Sequence, residues 1–291
     1  MTVQQILTNL EAMGLAANRD LYAKHGITSP AYGIAFGHLR ALAKQIGNDA
    51  AKADALWATG NHDARILATL VAGEKGATEA RLRAWVATLD NYVIADLLAR
   101  WAAHAKVAPA LSAEWALATD EWIARTGWML RALLAIDRPN LPDALFASAI
   151  PVIEREIHRA KNRVRDAMNT TLIAIGIGRD SLTEAAIAAA RRIGPIEVDF
   201  GESGSTLPPA EETIRRGVEQ RHRQESGRAG GKKAARRKRA AVKKSGGVRK
   251  KAQPVRKETA AAKKKAAAAK KKTAAAKKKV TAAKQPQPKR S

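Results

Sequence analysis

Residues 91–102 read Asn-Tyr-Val-Ile-Ala-Asp-Leu-Leu-Ala-Arg-Trp-Ala, and the placement of this stretch decides the fold. Ile94, Leu97, Leu98 and Trp101 recur at the three- and four-residue spacing of one helix face, behind Asn91 as a helix-starting cap. On that helix Tyr92 and Asp96 lie one turn apart and share a face. Aspartate is seldom buried without a partner, so either this face looks outward or its carboxylate has a task. Arg100, one turn further on, would supply an ordinary surface partner for Asp96.

The same motif recurs along the chain. Arg65-Ile-Leu-Ala, Asp96-Leu-Leu-Ala, Arg131-Ala-Leu-Leu and Arg165-Asp-Ala-Met each set a charge at the head of an apolar run, at spacings of 31, 35 and 34 residues. That period fits a stack of two-helix units, none able to bury its apolar face alone. The expected fold is therefore all-α, an α-solenoid of two-helix repeats. Helices are predicted near 3–14, 16–24, 36–46, 48–58, 61–72, 77–88, 91–106, 112–118, 121–136, 142–157, 161–176 and 180–193, with a last short one on IRRGVEQRHRQ (214–224). Asn61, Asn91, Asp120 and the Ser181-Leu-Thr-Glu run supply expected N-caps. The second helix of each unit would line a concave wall, placing Arg65, Asp96, Arg131 and Arg165 in one groove.

Charge divides the chain into two parts. Of 52 Lys+Arg and 27 Asp+Glu, residues 227–291 hold 26 cations and the single acid Glu258, leaving 26 of each sign in residues 1–226. We therefore expect a folded domain over 1–226 and a disordered Lys/Ala-rich tail over 227–291, since such a composition repels itself and buries no core. Lysine triplets at Lys263, Lys264 and Lys265, at Lys270, Lys271 and Lys272, and at Lys277, Lys278 and Lys279 repeat every seven residues. Seven residues are about two helical turns, so phosphate neutralisation would set all three triplets on one face. A tail that only aids solubility is the plainer alternative, but so many cations suit nonspecific phosphate binding.

Other chemistries find little support. The chain has no cysteine, and its six histidines (25, 38, 62, 104, 158 and 222) never take a two-ligand helical spacing, so no metal or other cofactor is expected. The N-terminal MTVQQILTNLEAMG reads as an amphipathic helix and not a leader, and no apolar run reaches membrane-spanning length. A cytoplasmic, nucleoid-associated monomer with no membrane partner is expected. Gly230-Gly231-Lys232 lacks the upstream glycine of a phosphate loop, Gly201-Glu-Ser-Gly-Ser is no nucleophile elbow, and Ile175-Gly-Ile-Gly reads as a helix end. Tyr92, Trp101 and Trp128 read first as core or ridge aromatics. Arg155, His158, Arg159, Lys161, Arg163 and Arg165 surround one interhelix turn and suit phosphate contact, diluted by Glu154 and Glu156.

Five ordered blocks carry a family likeness: YGIAFGHLRALAKQIG (32–47), ALWATGNHDARILATLVA (55–72), TLDNYVIADLLARW (88–101), TGWMLRALLAI (126–136) and NRVRDAMNTTLIAIG (162–176). Together they resemble the DNA alkylation repair family, the AlkD-type HEAT-like-repeat DNA glycosylases, over roughly residues 20–200. The tail is similar instead to the Lys/Ala-rich tails of bacterial histone-like proteins. The resemblance implies a metal-free hydrolase of the N-glycosidic bond of cationic alkylated purines, such as 3-methyladenine and 7-methylguanine, in duplex DNA held in the concave groove.

By that resemblance Asp96 matches the catalytic carboxylate and Arg131, following Trp128, the arginine beside the lesion's backbone. Arg65, Arg163 and Arg165 are further expected DNA contacts. Tyr92 and Thr170 occupy positions where active members carry tryptophans, and threonine has no aromatic face. A base alkylated to a cation already leaves readily, so a carboxylate has only to stabilise charge developing on the sugar and position a water. A noncatalytic DNA-binding protein on the same scaffold is the competing reading, favoured by the balanced charge of residues 1–226.

Truncation after residue 226 should weaken binding to undamaged duplex and flatten its salt dependence, from a slope near about −9 if ten phosphates are engaged. Titrations at several salt concentrations read this directly, and unchanged affinity would refute the tether.

Overall fold

The structure, a computed structural model, describes residues 1–226. The tail lysines from Lys263 to Lys279 lie outside the described residues. All regular structure among the described residues is helical. In chain order the helices are α1 (Val3–Met13), α2 (Ala16–Lys24), α3 (Phe36–Ile46), α4 (Ala50–Ala58), α5 (His62–Val71), α6 (Glu79–Val86) and α7 (Tyr92–Ala102). They continue as α8 (Ala108–Trp115), α9 (Glu121–Asp137), α10 (Ala144–Ala147), α11 (Ala149–Glu156), α12 (Asn162–Gly178), α13 (Thr183–Ile193) and α14 (210–226). None of the described helices is long and apolar enough to cross a membrane.

The pairing follows the predicted period. Helix α4 packs on α5, α6 on α7, α8 on α9, and both α11 and α13 on α12. The second members form a row of their own, in which α3 touches α5, α5 touches α7, α7 touches α9 and α9 touches α12. This is the solenoid expected of HEAT-like repeats: each unit covers the apolar face of the next. Trp57, Trp85 and Trp101 mark the layer between successive units, with ring centroids 4.2 Å and 4.8 Å apart. Their buried indole nitrogens at Trp57 and Trp101 donate to Thr88 Oγ1 and the Gly73 carbonyl, so the stack leaves neither donor stranded.

Local chemistry sets the ends of these helices. The side chains of Asn61, Asn91 and Asp120 each accept two backbone N–H groups at the starts of α5, α7 and α9, as expected. Ser181 does not cap α13; its hydroxyl donates to Asp143, and a turn of 3₁₀ helix over Asp180–Leu182 leads into Thr183. The helix predicted over 142–157 is divided at Ser148. Pro151 has no N–H to give the Ala147 carbonyl, so the chain restarts with the proline in the first turn of α11. The helix predicted at 112–118 begins earlier, at Ala108, because Pro109 suits a first turn. The Ile175-Gly-Ile-Gly run ends α12, and Gly178 packs against the Ala135 carbonyl.

Two close approaches fix the units. A side-chain carbon at Gly127 of α9 would overlap the backbone of Trp115 and Ala116 at the end of α8. At the other end of the domain, Asp63 is fully buried at the start of α5 and accepts hydrogen bonds from Tyr22 Oη (2.9 Å) and the backbone N–H groups of Tyr32, Gly33 and Ile34 (2.7, 2.8 and 3.1 Å). Those four donors satisfy a carboxylate that burial would otherwise penalise heavily, and they tie the 25–35 loop across the N-terminus of α5.

Gly127→Ala should therefore cost about 2 kcal/mol by overpacking, a fall of roughly 4–8 °C in Tm for a domain of this size. Gly37→Ala, in a helix with open space around the position, should leave Tm unchanged or raise it slightly. Parallel thermal scans of both variants check the contrast.

Candidate nucleic-acid interface

The first turn of α7 presents Tyr92 and Asp96 beside α9 and α12. Asp96 does not pair with Arg100, which is exposed. It pairs with Arg125 of α9: Nε donates to Oδ1 at 2.8 Å and Nη2 to Oδ2 at 2.9 Å, a bidentate fork. The third nitrogen of Arg125 donates to Asp166 of α12 at 2.7 Å and to the Arg163 carbonyl at 2.8 Å. Arg125 is 3% exposed, whereas the Asp96 side chain keeps 31% of its surface in solvent. Two carboxylates thus share one buried cation, leaving the cluster one negative charge.

Burial works against the charge of Arg125, but Asp96 and Asp166 outweigh it and hold the guanidinium above its ordinary value. Burial also pushes the Asp96 carboxyl up while Arg125 pulls against that shift. Tyr92 is half-buried, and its ring is within cation–π reach of two guanidiniums, Arg163 at 4.5 Å and Arg125 at 5.4 Å. The Arg163 guanidinium also lies 5.1 Å from the Phe200 ring, and its backbone N–H donates to Glu121.

The other expected residues are distributed unevenly. Arg65 is not free for phosphate: it is buried, pairs with Asp90 at 3.0 Å and lies over Trp57. Trp128 is 1% exposed, so it is a core residue and presents no face to a ligand. Arg131 sits beside it at 5.7 Å and is 6% exposed; among the described residues no carboxylate pairs with it, and its Nε is without a partner. Burial alone lowers its affinity for its proton, a cost that an incoming anion would relieve. Arg165 spends Nε on the Ala160 carbonyl and Nη1 on that of Glu197. Thr170 is half-buried on α12, next to Thr171, whose hydroxyl bonds the Trp128 carbonyl.

Sequence reasoning did not single out Arg40, Lys44 or Lys75, and took Arg100 only as a surface partner of Asp96. Two clefts of 630 and 620 Å³ adjoin at Asn48 and Leu70 along α3, α5 and α7, and these four exposed cations border them. The signal was present on α3: Phe36, Arg40 and Lys44 recur every four residues, one helix face. These four supply exposed positive charge that the balanced composition conceals, with Glu74 as an acid lining the first cleft.

The model of the family described as DNA alkylation repair enzyme matches residues 6–202. The chain belongs to that family. The chain is 24% identical over 216 residues to the uncharacterized protein Lin0241 of Listeria innocua, covering 72% of this chain and 94% of the relative. It is also similar to a solved structure, at 26% identity and a TM-score of 0.69, covering 76% of this chain and 95% of that one. That structure represents a new family of proteins related to the HEAT-like repeat DNA glycosylases with affinity for branched DNA structures. The DNA alkylation repair family and the HEAT-like fold expected from the ordered blocks are thus both found.

Replacing Arg125 by methionine should destabilise the domain by about 3 kcal/mol, because Asp96 and Asp166 lose their shared cation and face each other. Adding Asp166→Asn should recover part of the loss. Urea unfolding of the single and double variants measures the coupling.

Proposed function

We propose that this chain is a DNA-binding member of the DNA alkylation repair family that recognises branched or otherwise irregular duplex DNA and leaves its glycosidic bonds intact. One observation supports this most directly: both oxygens of Asp96 already bind the buried Arg125. A glycosylase of this type would use that carboxylate to stabilise a sugar becoming cationic. Here both oxygens are already taken by a fixed cation within 3 Å, and the Tyr92 ring lies within reach of two guanidiniums. Thr170 adds no ring. Phosphates, by contrast, find Arg131 without a carboxylate partner among the described residues and an exposed cation row along the clefts. The lysine triplets beginning at Lys263, Lys270 and Lys277 would add nonspecific affinity through counterion release. The affinity of the similar solved structure for branched DNA supports the same reading.

A second reading, hydrolysis of 3-methyladenine or 7-methylguanine with Asp96 as the catalytic carboxylate, rests on the exposure that Asp96 retains beside Tyr92. In that case Arg125 would have to release one oxygen as the lesion enters.

At fixed salt, a four-way junction should bind at least about tenfold more tightly than linear duplex of equal length, and methylated duplex should release no 7-methylguanine above background. Release by wild type that disappears in Asp96→Asn, with DNA affinity retained, would establish the hydrolase instead. Equal affinity for junction and linear duplex would remove the preference for branched DNA.

A further inference from the structure

Between α12, the end of α13 and the start of α14 lies a cavity of 420 Å³ that the residues above do not use. The segment 194–209, which links α13 to α14, closes it. Three polar side chains of α12 hold that segment, and their spacing of three and four residues sets them on one helix face. Asn162 uses its whole amide: Nδ2 donates to the Asp199 carbonyl at 2.7 Å, and Oδ1 accepts from the Asp199 N–H at 2.8 Å. Arg165 Nη1 donates to the Glu197 carbonyl at 3.1 Å. Asn169 uses only half of its amide. Its Nδ2 donates to the Pro208 carbonyl at 3.0 Å, whereas Oδ1 has no donor among the described residues although Asn169 is 0% exposed. A buried amide oxygen left without a donor destabilises the fold, and such groups are rare in native structures.

The surroundings of Asn169 restrict what could supply the missing donor. Leu172, Ile193, Ile196 and Leu207 line the cavity with Pro208 and Pro209, which have no N–H to give. Glu211, the one charged residue of the lining among the described residues, is paired with Arg191 at 2.7 Å and Arg215 at 3.1 Å. We infer that this cavity binds a small neutral molecule, mainly apolar, that directs one N–H or O–H group at Asn169 Oδ1. Its volume is in the range of small-molecule sites, which combine an apolar lining with a few placed polar atoms. A charged ligand would shed its hydration and find no free counter-charge. A flat protein surface would not reach a side chain so deeply buried; the donor has to enter the cavity. The site requires nothing of the DNA-binding function proposed above.

Indole, an apolar body with a single N–H donor, and 1-methylindole, which lacks that donor, probe the site by isothermal titration of the full chain without DNA. Wild type should bind indole at least about tenfold more tightly than 1-methylindole, the size expected when a buried acceptor loses its donor. Asn169→Leu should weaken indole until the two compounds bind alike. Ala190→Phe, which sets a ring in the cavity from a half-buried position on α13, should abolish binding of both. Helical circular dichroism equal to wild type shows that each variant is folded. The site is overturned if wild type binds neither compound or binds both equally, or if either folded variant still prefers indole as wild type does. The wild-type comparison decides even where a variant fails to fold.

Discussion

One buried guanidinium holds the second helices in register. Arg125 reaches from α9 to a carboxylate on α7 and to a carboxylate and a backbone carbonyl on α12. A charge removed from water must find compensation, and four oxygens from two neighbouring helices provide it. The arrangement fixes how far α7 and α12 can slide past α9. It also fixes where Asp96, Tyr92 and Arg163 can stand, since each of them touches Arg125 or lies beside it. The electrostatics of the site are therefore a by-product of the way the solenoid is fastened.

The remainder of the domain supports this row from behind. Glycine at 127 lets α8 approach α9 to backbone contact, and the tryptophan stack spaces the preceding units. At the N-terminal end, Asp63 plays for a loop the part that Arg125 plays for helices, gathering the donors of residues 32–34 and Tyr22 around one buried charge. The loop so held contributes His25, Ile27, Ile34 and Ala35 to the lining of a 400 Å³ cavity between α2, α3, α5 and α7. Exposed cations and a buried arginine that, among the described residues, has no carboxylate partner occur along the same succession of helices.

The repeat architecture was legible in the sequence because it rests on periodicity: apolar residues every three or four positions and charged heads every 31 to 35. Asparagine and aspartate caps were equally legible, since capping is local. The partner of Asp96 was not. Arg100 is near in sequence, but Arg125 is 29 residues away and becomes a neighbour only when α7 and α9 pack. Arg65 and Trp128 illustrate the same limit. Their register suggests the groove, yet Asp90 captures one and the core encloses the other. Prolines 109 and 151 moved helix boundaries by the ordinary rule that a proline belongs in a first turn.

The Arg125 fork also couples three positions on three helices. Tryptophan at positions 92 and 170 would enlarge the aromatic surroundings of Asp96 but leave both its oxygens bound to Arg125. Removing Arg125 alone would free the carboxylate and strand Asp166 beside it. Residues 96, 125 and 166 are therefore bound to change together, since one substitution among them alters the fastening of three helices and the charge of the site at once.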